Sequence, residues 1–194
     1  MRTIATSYLE TLQSLINRIA ATDASGTVLE TAQALEQAAR TVQCLGSGKM
    51  MFVGNGASAA ISSHMASDYT KNGGVRAMAF NDPALLTCMG NDFGYAHVFE
   101  KPVEYFTDAA DLLVAISSSG RSENILRAAD MAKAKSAKVI TLSGFKADNP
   151  LRAKGDLNFY VPIEAYGPVE ILHHAICHCI LDTIIEFRAS GKAC

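Results

Sequence analysis

Five short apolar runs alternate with helical segments over most of this chain, and this alternation constrains its fold more than any other feature. The runs lie at Lys49–Gly54, Val75–Phe80, Leu112–Ile116, Lys138–Leu142 and Leu157–Val161. Uninterrupted apolar strands that are separated by helices are typical of parallel sheets with helices on both faces. We therefore predict an α/β fold around a five-stranded parallel sheet.

Apolar residues spaced three and four apart predict the helices of this domain. Two such segments, about 4–21 and 28–43, precede the first strand and are joined by a turn at Asp23–Thr27, which predicts an N-terminal helical hairpin. A helix is predicted after the first strand, and it ends near Tyr69. Four more helices are predicted at Asp82–Met89, at about Tyr95 to Phe106, at Ser122–Ala134 and at Gly167–Arg188. Because no linker or repeat appears, we expect a single domain over 1–194, with the hairpin at 1–45 and the α/β core at 46–194.

The composition excludes several classes of protein. Hydrophobic residues make up 49% of the 194 positions and charged residues 19%, so the chain is neither disordered nor of low complexity. The net charge is −2 and no basic stripe is visible, so we expect no nucleic-acid partner. No apolar run reaches the ~20 residues of a membrane helix, so we expect no membrane partner. The small charged fraction indicates that some surface is buried between subunits.

The cysteines and the N-terminus favour a cytoplasmic protein. Polar residues interrupt the first 20 positions where a signal peptide needs its apolar core. The five cysteines lack the spacing of a disulfide framework, so we expect free thiols in a reducing compartment.

Two loops at the carboxyl ends of predicted strands have the composition of a phosphate site. The first, Gly54–Ser58, and the second, Ser117–Ser122, each lead into a helix. Ligands of such sheets bind at this edge, where glycine lets N–H groups approach an anion and serine hydroxyls donate hydrogen bonds. Ordinary helix capping by Ser58 and Ser122 is the alternative. The first loop also matches a dinucleotide fingerprint, but no acidic residue ends the second strand, which favours a single phosphate.

Ionisable residues recur at helical spacing in two predicted helices. His64 and Asp68 are four residues apart, and Glu170 and His178 are eight apart with His174 between them, so each set shares one helix face. Because the last helix is apolar around most of its circumference, these groups must be paired or bound to something. The neighbouring His173 and His174 point about 100° apart and cannot both join one site, so either can be a core or subunit contact.

Together these motifs resemble the SIS (sugar isomerase) domain family. The resemblance is carried by Gly54–Ala60 with His64, by Asn91–Tyr95, by Ile116–Ser122 and by Glu170 with His178, and it extends over nearly the whole chain. The His64/Asp68 and Glu170/His178 spacings are most similar to those of phosphoheptose isomerases. The resemblance implies a cytoplasmic homotetramer with sites between subunits. The resemblance also implies that the protein interconverts sedoheptulose 7-phosphate and D-glycero-D-manno-heptose 7-phosphate, the first step of bacterial heptose biosynthesis.

The resemblance also implies roles for the matching residues. Those expected to hold the sugar phosphate are Asn55, Gly56, Ala57, Ser58, Asp68, Asn91, Asp92, Ser117, Ser118, Ser119, Ser122 and Glu170. His64, Asp68, Glu170 and His178 are expected to bind one zinc ion per subunit. Asp68 and His178 are the expected catalytic pair, which moves a proton between adjacent carbons through an enediol(ate).

Two of these residues depart from the family pattern, because Asp68 stands in place of Glu and Glu170 in place of Gln. The departures leave two alternatives open. One is an isomerase or a sensor for another sugar phosphate of the same superfamily. The other is a non-catalytic homologue that binds the bacterial replication initiator, which the retention of His178 with an acidic residue at position 68 disfavours.

Overall fold

A seven-stranded sheet runs through the computed structural model, which describes residues 3–191. The strands are β1 (Ala20–Asp23), β2 (Val28–Leu29), β3 (Met50–Gly54), β4 (Ala77–Ala79), β5 (Leu112–Ser117), β6 (Lys138–Ser143) and β7 (Leu157–Tyr160), in the spatial order β2-β1-β7-β6-β5-β3-β4. The helices are α1 (Ile4–Ile16), α2 (Thr31–Gln43), α3 (Ala57–Lys71), α4 (Pro83–Phe93), α5 (Glu100–Phe106), α6 (Glu123–Ala134) and α7 (Tyr166–Ala189). Short 3₁₀ helices lie at Tyr95–His97 and Pro150–Ala153.

The five predicted strands form the parallel part of the sheet, as expected for the SIS fold. All residues of β3 and β5 are buried, which explains why these runs are apolar without alternation. The prediction of five strands in all is wrong, since β1 and β2 add two antiparallel strands beyond β7.

The two extra strands interrupt the predicted helical hairpin. α1 ends at Ile16, and residues 20–29 form a β-hairpin instead of the end of one helix and the start of the next. Its turn is closed by Asp23, whose carboxylate accepts hydrogen bonds from the backbone N–H groups of Ser25 and Thr27, each at 2.9 Å. Gly26 supplies the left-handed conformation of the turn, with φ of +84°. β1 then pairs with β7, so the N-terminal segment belongs to the same sheet as the core.

Successive residues of the central strands point into two separate cores. Met50 and Phe52 pack into the core beneath α2, α3 and α7, whereas Met51 and Val53 pack into the core beneath α5 and α6. This alternation places helices on both faces of the sheet, as predicted. The predicted helix from Tyr95 to Phe106 is interrupted, because a 3₁₀ turn precedes α5.

The longest helix, α7, packs on α2 and α3 and fixes the face of the sheet where the histidines lie. The buried hydroxyl of Tyr69 in α3 donates a hydrogen bond of 2.9 Å to the carbonyl oxygen of Cys177 in α7. Nearer the C-terminal ends of α3 and α7, the Arg188 side chain donates a hydrogen bond to the carbonyl oxygen of Gly73. By length and composition α7 also meets the criteria for a membrane span, although half of that window is buried inside this domain, as in the core helix of a soluble protein.

Three of the cysteines follow the expectation of free thiols. Cys88, Cys177 and Cys179 are free. Cys44 is the C-cap residue of α2. Cys194 lies outside the described residues.

Candidate active site

The first predicted loop joins β3 to α3 by a turn that only small residues can make. A Cβ atom on Gly54 would lie 2.6 Å from the backbone of Ser58, so glycine is required for the loop to fold back on its helix. Gly56 has φ of +56° and begins α3 without any side-chain cap. Ser58 therefore lies within the first turn of α3, so the alternative in which it caps the helix is wrong. Within that turn the N–H groups of Ser58, Ala59 and Ala60 donate to the backbone carbonyl oxygens of Asn55 and Gly56, and the positive end of the α3 dipole faces the loop.

The serine-rich loop after β5 is held in place by its own hydroxyls. The Ser117 hydroxyl oxygen accepts a hydrogen bond of 3.2 Å from the N–H of Gly120, and that of Ser119 accepts one of 3.2 Å from the N–H of Arg121. Ser122 is the N-cap residue of α6, yet its side chain makes no capping hydrogen bond. Its hydroxyl oxygen lies 3.4 Å from that of Ser117. Capping does not explain these serines, and a second helix N-terminus is left without a side-chain cap.

The two loops enclose a cavity of about 140 Å³. Its lining residues are Asn55, Ser58, Ile116, Ser117, Ser118, Ser119, Ser122, Tyr166 and Glu170. None of these is a lysine or arginine, so the attraction for an anion comes from hydroxyls, backbone N–H groups and the N-termini of α3 and α6. Such an arrangement is suited to phosphate.

Asn124 ties the two loops together, a role that sequence reasoning missed. The Asn55 side-chain amide donates to Asn124 Oδ1 at 3.0 Å, and the Asn124 amide donates back to Asn55 Oδ1 at 2.9 Å. The Tyr95 hydroxyl donates to the same Asn55 oxygen at 3.1 Å. Asn124 is only 3% exposed in a helix whose other buried residues are apolar. A single polar residue on the otherwise apolar buried face of α6 was the sequence signal that could have predicted this buried hydrogen bond.

Three histidines meet where α3 packs on α7. His64 in α3 and His174 and His178 in α7 each offer a ring nitrogen, and these atoms lie within 4.8 Å of one another. The ring centroids are 5.1 Å apart for His64 and His174, 5.6 Å for His64 and His178, and 4.7 Å for His174 and His178. Asp68, one turn after His64, places its Oδ2 atom 3.3 Å from His64 Nε2.

The structure separates the roles of the adjacent His173 and His174. His173 is fully buried and donates from Nε2 to the carbonyl oxygen of Ser143 at 3.0 Å, so it is a core residue, and burial lowers its pKa to about 4. Burial, and then the neighbouring His178 and His64, lower the pKa of His174. Its Nε2 atom is buried and has no hydrogen-bond partner among residues 3–191. His174 therefore lies in the cluster with its ring facing the other two imidazoles.

Glu170 lies between the cavity and the histidines. It lines the serine cavity, and it also lines a more open cavity of about 360 Å³ together with His64 and His174. Among the described residues, the group of ligand atoms within 4.8 Å contains neither Glu170 nor Asp68. Of the four predicted metal ligands, the structure thus brings His64 and His178 together, leaves Asp68 against His64 and places Glu170 beside them.

Asn91 and Asp92 lie away from both cavities in this chain. They are exposed near the end of α4, where the Asn91 amide donates to Asp92 Oδ1 at 2.8 Å. Neither residue lines the serine cavity or the cavity beside the histidines.

Known proteins are similar to this chain in sequence and in fold. A family model described as the SIS domain matches residues 7–144. The phosphoheptose isomerase of Edwardsiella ictaluri is 36% identical over 165 residues, which span 81% of this chain and 85% of that relative. The phosphoheptose isomerase of Sodalis glossinidius is 37% identical over 162 residues, spanning 79% and 82%. The structure of a phosphoheptose isomerase from Neisseria gonorrhoeae superposes with a TM-score of 0.81 at 29% identity and covers 94% of this chain and 97% of that chain.

Proposed function

The chain belongs to the SIS domain family, and we propose that within this family it acts as a phosphoheptose isomerase. The reaction is the interconversion of sedoheptulose 7-phosphate and D-glycero-D-manno-heptose 7-phosphate, the first step of bacterial heptose biosynthesis. The observation that carries this proposal is the placement of the serine cavity beside the histidine cluster, with Glu170 lining both regions. A sugar phosphate fits such a site, because its phosphate and its reacting carbons need different chemistry.

The serine loop binds the phosphate and orients the sugar. In this proposal the hydroxyls of Ser117, Ser118, Ser119 and Ser122 donate to the phosphate oxygens, and the positive N-terminal ends of α3 and α6 add to the attraction. Binding far from the reacting carbons supplies orientation and so lowers the barrier of the chemical step. Asn55 is held by Asn124 and Tyr95, which keeps the first loop in position.

Aldose–ketose interconversion moves a proton between two adjacent carbons and needs a base, an acid and a group that stabilises the developing oxyanion. Asp68 is the proposed base at one carbon, and His178 is the acid/base partner at the other. Both belong to one cluster, because His64 contacts Asp68 and packs against the His178 ring.

We propose zinc as the cofactor, and the donor set fits a divalent metal. The imidazoles converge, and one of them carries a buried nitrogen without a hydrogen-bond partner in the part of the chain that the structure describes. The family pattern assigns the ion to His64, Asp68, Glu170 and His178. When bound, it supplies positive charge that polarises the sugar oxygens.

A cytoplasmic homotetramer is part of the same proposal. Apolar side chains on α1 are strongly exposed, namely Ile4 (91%), Leu9 (65%) and Ile16 (56%), and Ile171 and Ile185 are exposed on α7. Monomers rarely leave such apolar groups uncovered together. A neighbouring subunit is also the source from which Asn91 and Asp92 would reach a sugar. Sedimentation equilibrium at micromolar concentration should show a tetramer, and a species of monomer mass would refute the assembly.

The decisive experiment is turnover of sedoheptulose 7-phosphate beside a panel of pentose and hexose phosphates. We expect kcat/KM to be highest for the heptose phosphate. A higher kcat/KM for a shorter sugar phosphate would assign another isomerase activity. Tight binding of a sugar phosphate without turnover would assign a sensor, and neither binding nor turnover would favour a non-catalytic protein.

A further inference from the structure

We propose that His174 is a metal ligand, and that His64, His174 and His178 form a three-histidine metal centre within one subunit. This inference deepens the proposed function, on which it rests for the chemical role of the ion. It differs from the ligand set of the family pattern in two ways: His174 takes the place of Glu170 one turn along α7, and Asp68 becomes an outer partner of His64 and not a ligand.

The first argument is the proximity of the three nitrogens. One ring nitrogen from each histidine lies within 4.8 Å of the other two. A tetrahedral zinc ion with Zn–N bonds of about 2.0–2.1 Å holds its ligand atoms about 3.4 Å apart, so the three rings need to close by only about 1.4 Å at most. The helix spacing provides this arrangement, because His174 and His178 are one turn apart on α7 and face His64 on α3.

The second argument is independent of the first and concerns one atom. His174 Nε2 is buried and has no hydrogen-bond partner among the described residues. A buried polar atom without a partner is costly, and most such atoms in native proteins are bound to something. The rings of His64 and His178 lie against His174. Three imidazoles in contact can share one cation as its ligands.

The third argument comes from the carboxylates. Asp68 lies 3.3 Å from one nitrogen of His64, and a carboxylate that orients a ligand histidine in this way is a common outer partner of metal sites. Three protein ligands leave the fourth position of a zinc ion open for substrate, as in catalytic zinc sites. Glu170, which lines the serine cavity, then remains free to face the sugar.

Metal binding by chelator-treated protein tests the inference. Titration with Zn²⁺ in a competition assay, and with Co²⁺ followed by its visible absorption, should give one ion per chain. The His174→Phe variant keeps a ring of similar shape without ligand nitrogens, and it should bind Zn²⁺ more than about 100-fold more weakly, beyond the 10–100-fold typical of losing an outer partner. His97→Gln is the matched control, because His97 pairs with Glu100 away from the cluster, and its affinity should equal that of wild type.

Substitution of the carboxylates separates the two ligand sets. Asp68→Asn should weaken Zn²⁺ binding by about 10–100-fold as an outer partner, and Glu170→Ala should change it by less than about threefold. Unchanged affinity in His174→Phe, or a loss in Glu170→Ala as large as that in His64→Ala, would overturn the inference. Circular dichroism verifies that each variant is folded. If His174→Phe does not fold, His174→Gln takes its place, and an unaltered Co²⁺ spectrum in that variant would equally overturn the inference.

These measurements do not depend on turnover, so the two proposals can fail separately. A wild-type protein that binds zinc through His174 but does not isomerise a heptose phosphate would refute only the proposed function. A heptose phosphate isomerase whose zinc affinity is indifferent to His174 would refute only the three-histidine centre.

Discussion

Gly120 is the position at which the serine loop is most sensitive to a single methyl group. The residue has φ of +61°, and a Cβ atom there would lie 2.0 Å from Asn149 Oδ1. Asn149 is only 3% exposed, and its amide donates to Ser143 Oγ and to two backbone carbonyl oxygens, while Oδ1 accepts from the N–H of Arg152 at 3.1 Å. Gly120→Ala must therefore move either the loop or this buried amide.

The expected loss in the free energy of unfolding has two parts. An L-residue in the left-handed region costs about 1–2 kcal/mol. Displacing Asn149 disturbs up to four hydrogen bonds worth about 0.5–1.5 kcal/mol each, and we take about 2–4 kcal/mol for their partial loss. Gly120→Ala should then lower the free energy of unfolding by roughly 3–6 kcal/mol.

Gly46 provides a matched control. It has φ of +58° and is exposed, and a Cβ atom there would meet nothing within 4 Å. Gly46→Ala should therefore cost only the conformational part, about 1–2 kcal/mol. The difference between the two variants measures the contact with Asn149, and the added Asn149→Ala substitution should recover part of the loss caused by Gly120→Ala.

Urea denaturation gives the free energies, and calorimetry with a heptose phosphate gives the affinity. We expect weakened phosphate binding in Gly120→Ala and near wild-type binding in Gly46→Ala, because only the former displaces the serine loop. Equal loss of stability in the two glycine variants, or strict additivity of Gly120→Ala with Asn149→Ala, would refute the reasoning.

Three further predictions concern phosphate binding, catalysis and acid stability. Ser119→Ala should raise KM, with a loss of about 1–3 kcal/mol in binding and little change in unfolding, and unchanged calorimetric affinity would contradict its role. His178→Ala should lower kcat by about two to four orders of magnitude in a folded protein, as steady-state kinetics would show. The pKa of Asp111 is held below its ordinary value of 3.8, since hydrogen bonds from the Asp108 N–H and from Lys49 outweigh the effect of burial, which raises it. Asp111 therefore stabilises the fold above pH 3.8 and loses this contribution as the pH falls through its lowered pKa, so Asp111→Asn should flatten the acid limb of urea-denaturation midpoints measured against pH.

The parallel sheet could be predicted because its signal is local. Each of β3, β5 and β6 is a nearly continuous apolar run followed by a helical period, and this pattern is sufficient for a buried parallel strand. β1 and β2 could not be predicted in the same way. β1 consists of Ala, Ala, Thr and Asp and carries no apolar alternation, and its pairing with β7 joins residues far apart in sequence. The apolar spacing of α1 therefore predicts a helix that continues through it.

The candidate site divides along the same line. The two loops could be located because glycine and serine clusters directly follow strands, but their tie through Asn124 depends on a tertiary contact with Asn55. The helix period placed His174 on the same face as Glu170 and His178. Whether His174 or His173 joins the site depends on where α3 packs against α7. The helical period of α7 carries no information about that position. The structure supplies that position through contacts such as the hydrogen bond from Tyr69 to Cys177.

The packing of α3 on α7 also sets the distance between the two halves of the site. α3 begins at the phosphate loop and carries His64 seven residues later, which at 1.5 Å per residue is about 10 Å along its axis. α7 runs beside it, with Glu170 at the serine cavity and His174 and His178 one and two turns farther on. On α7 the rise from Glu170 is about 6 Å to His174 and about 12 Å to His178, compared with about 10 Å from the start of α3 to His64. A substrate whose phosphate is held in the serine cavity and whose reacting carbons lie at the histidines must extend from one to the other along α3 and α7. A sugar phosphate with its phosphate on the last carbon has this layout, because its reacting carbons are at the opposite end of the chain.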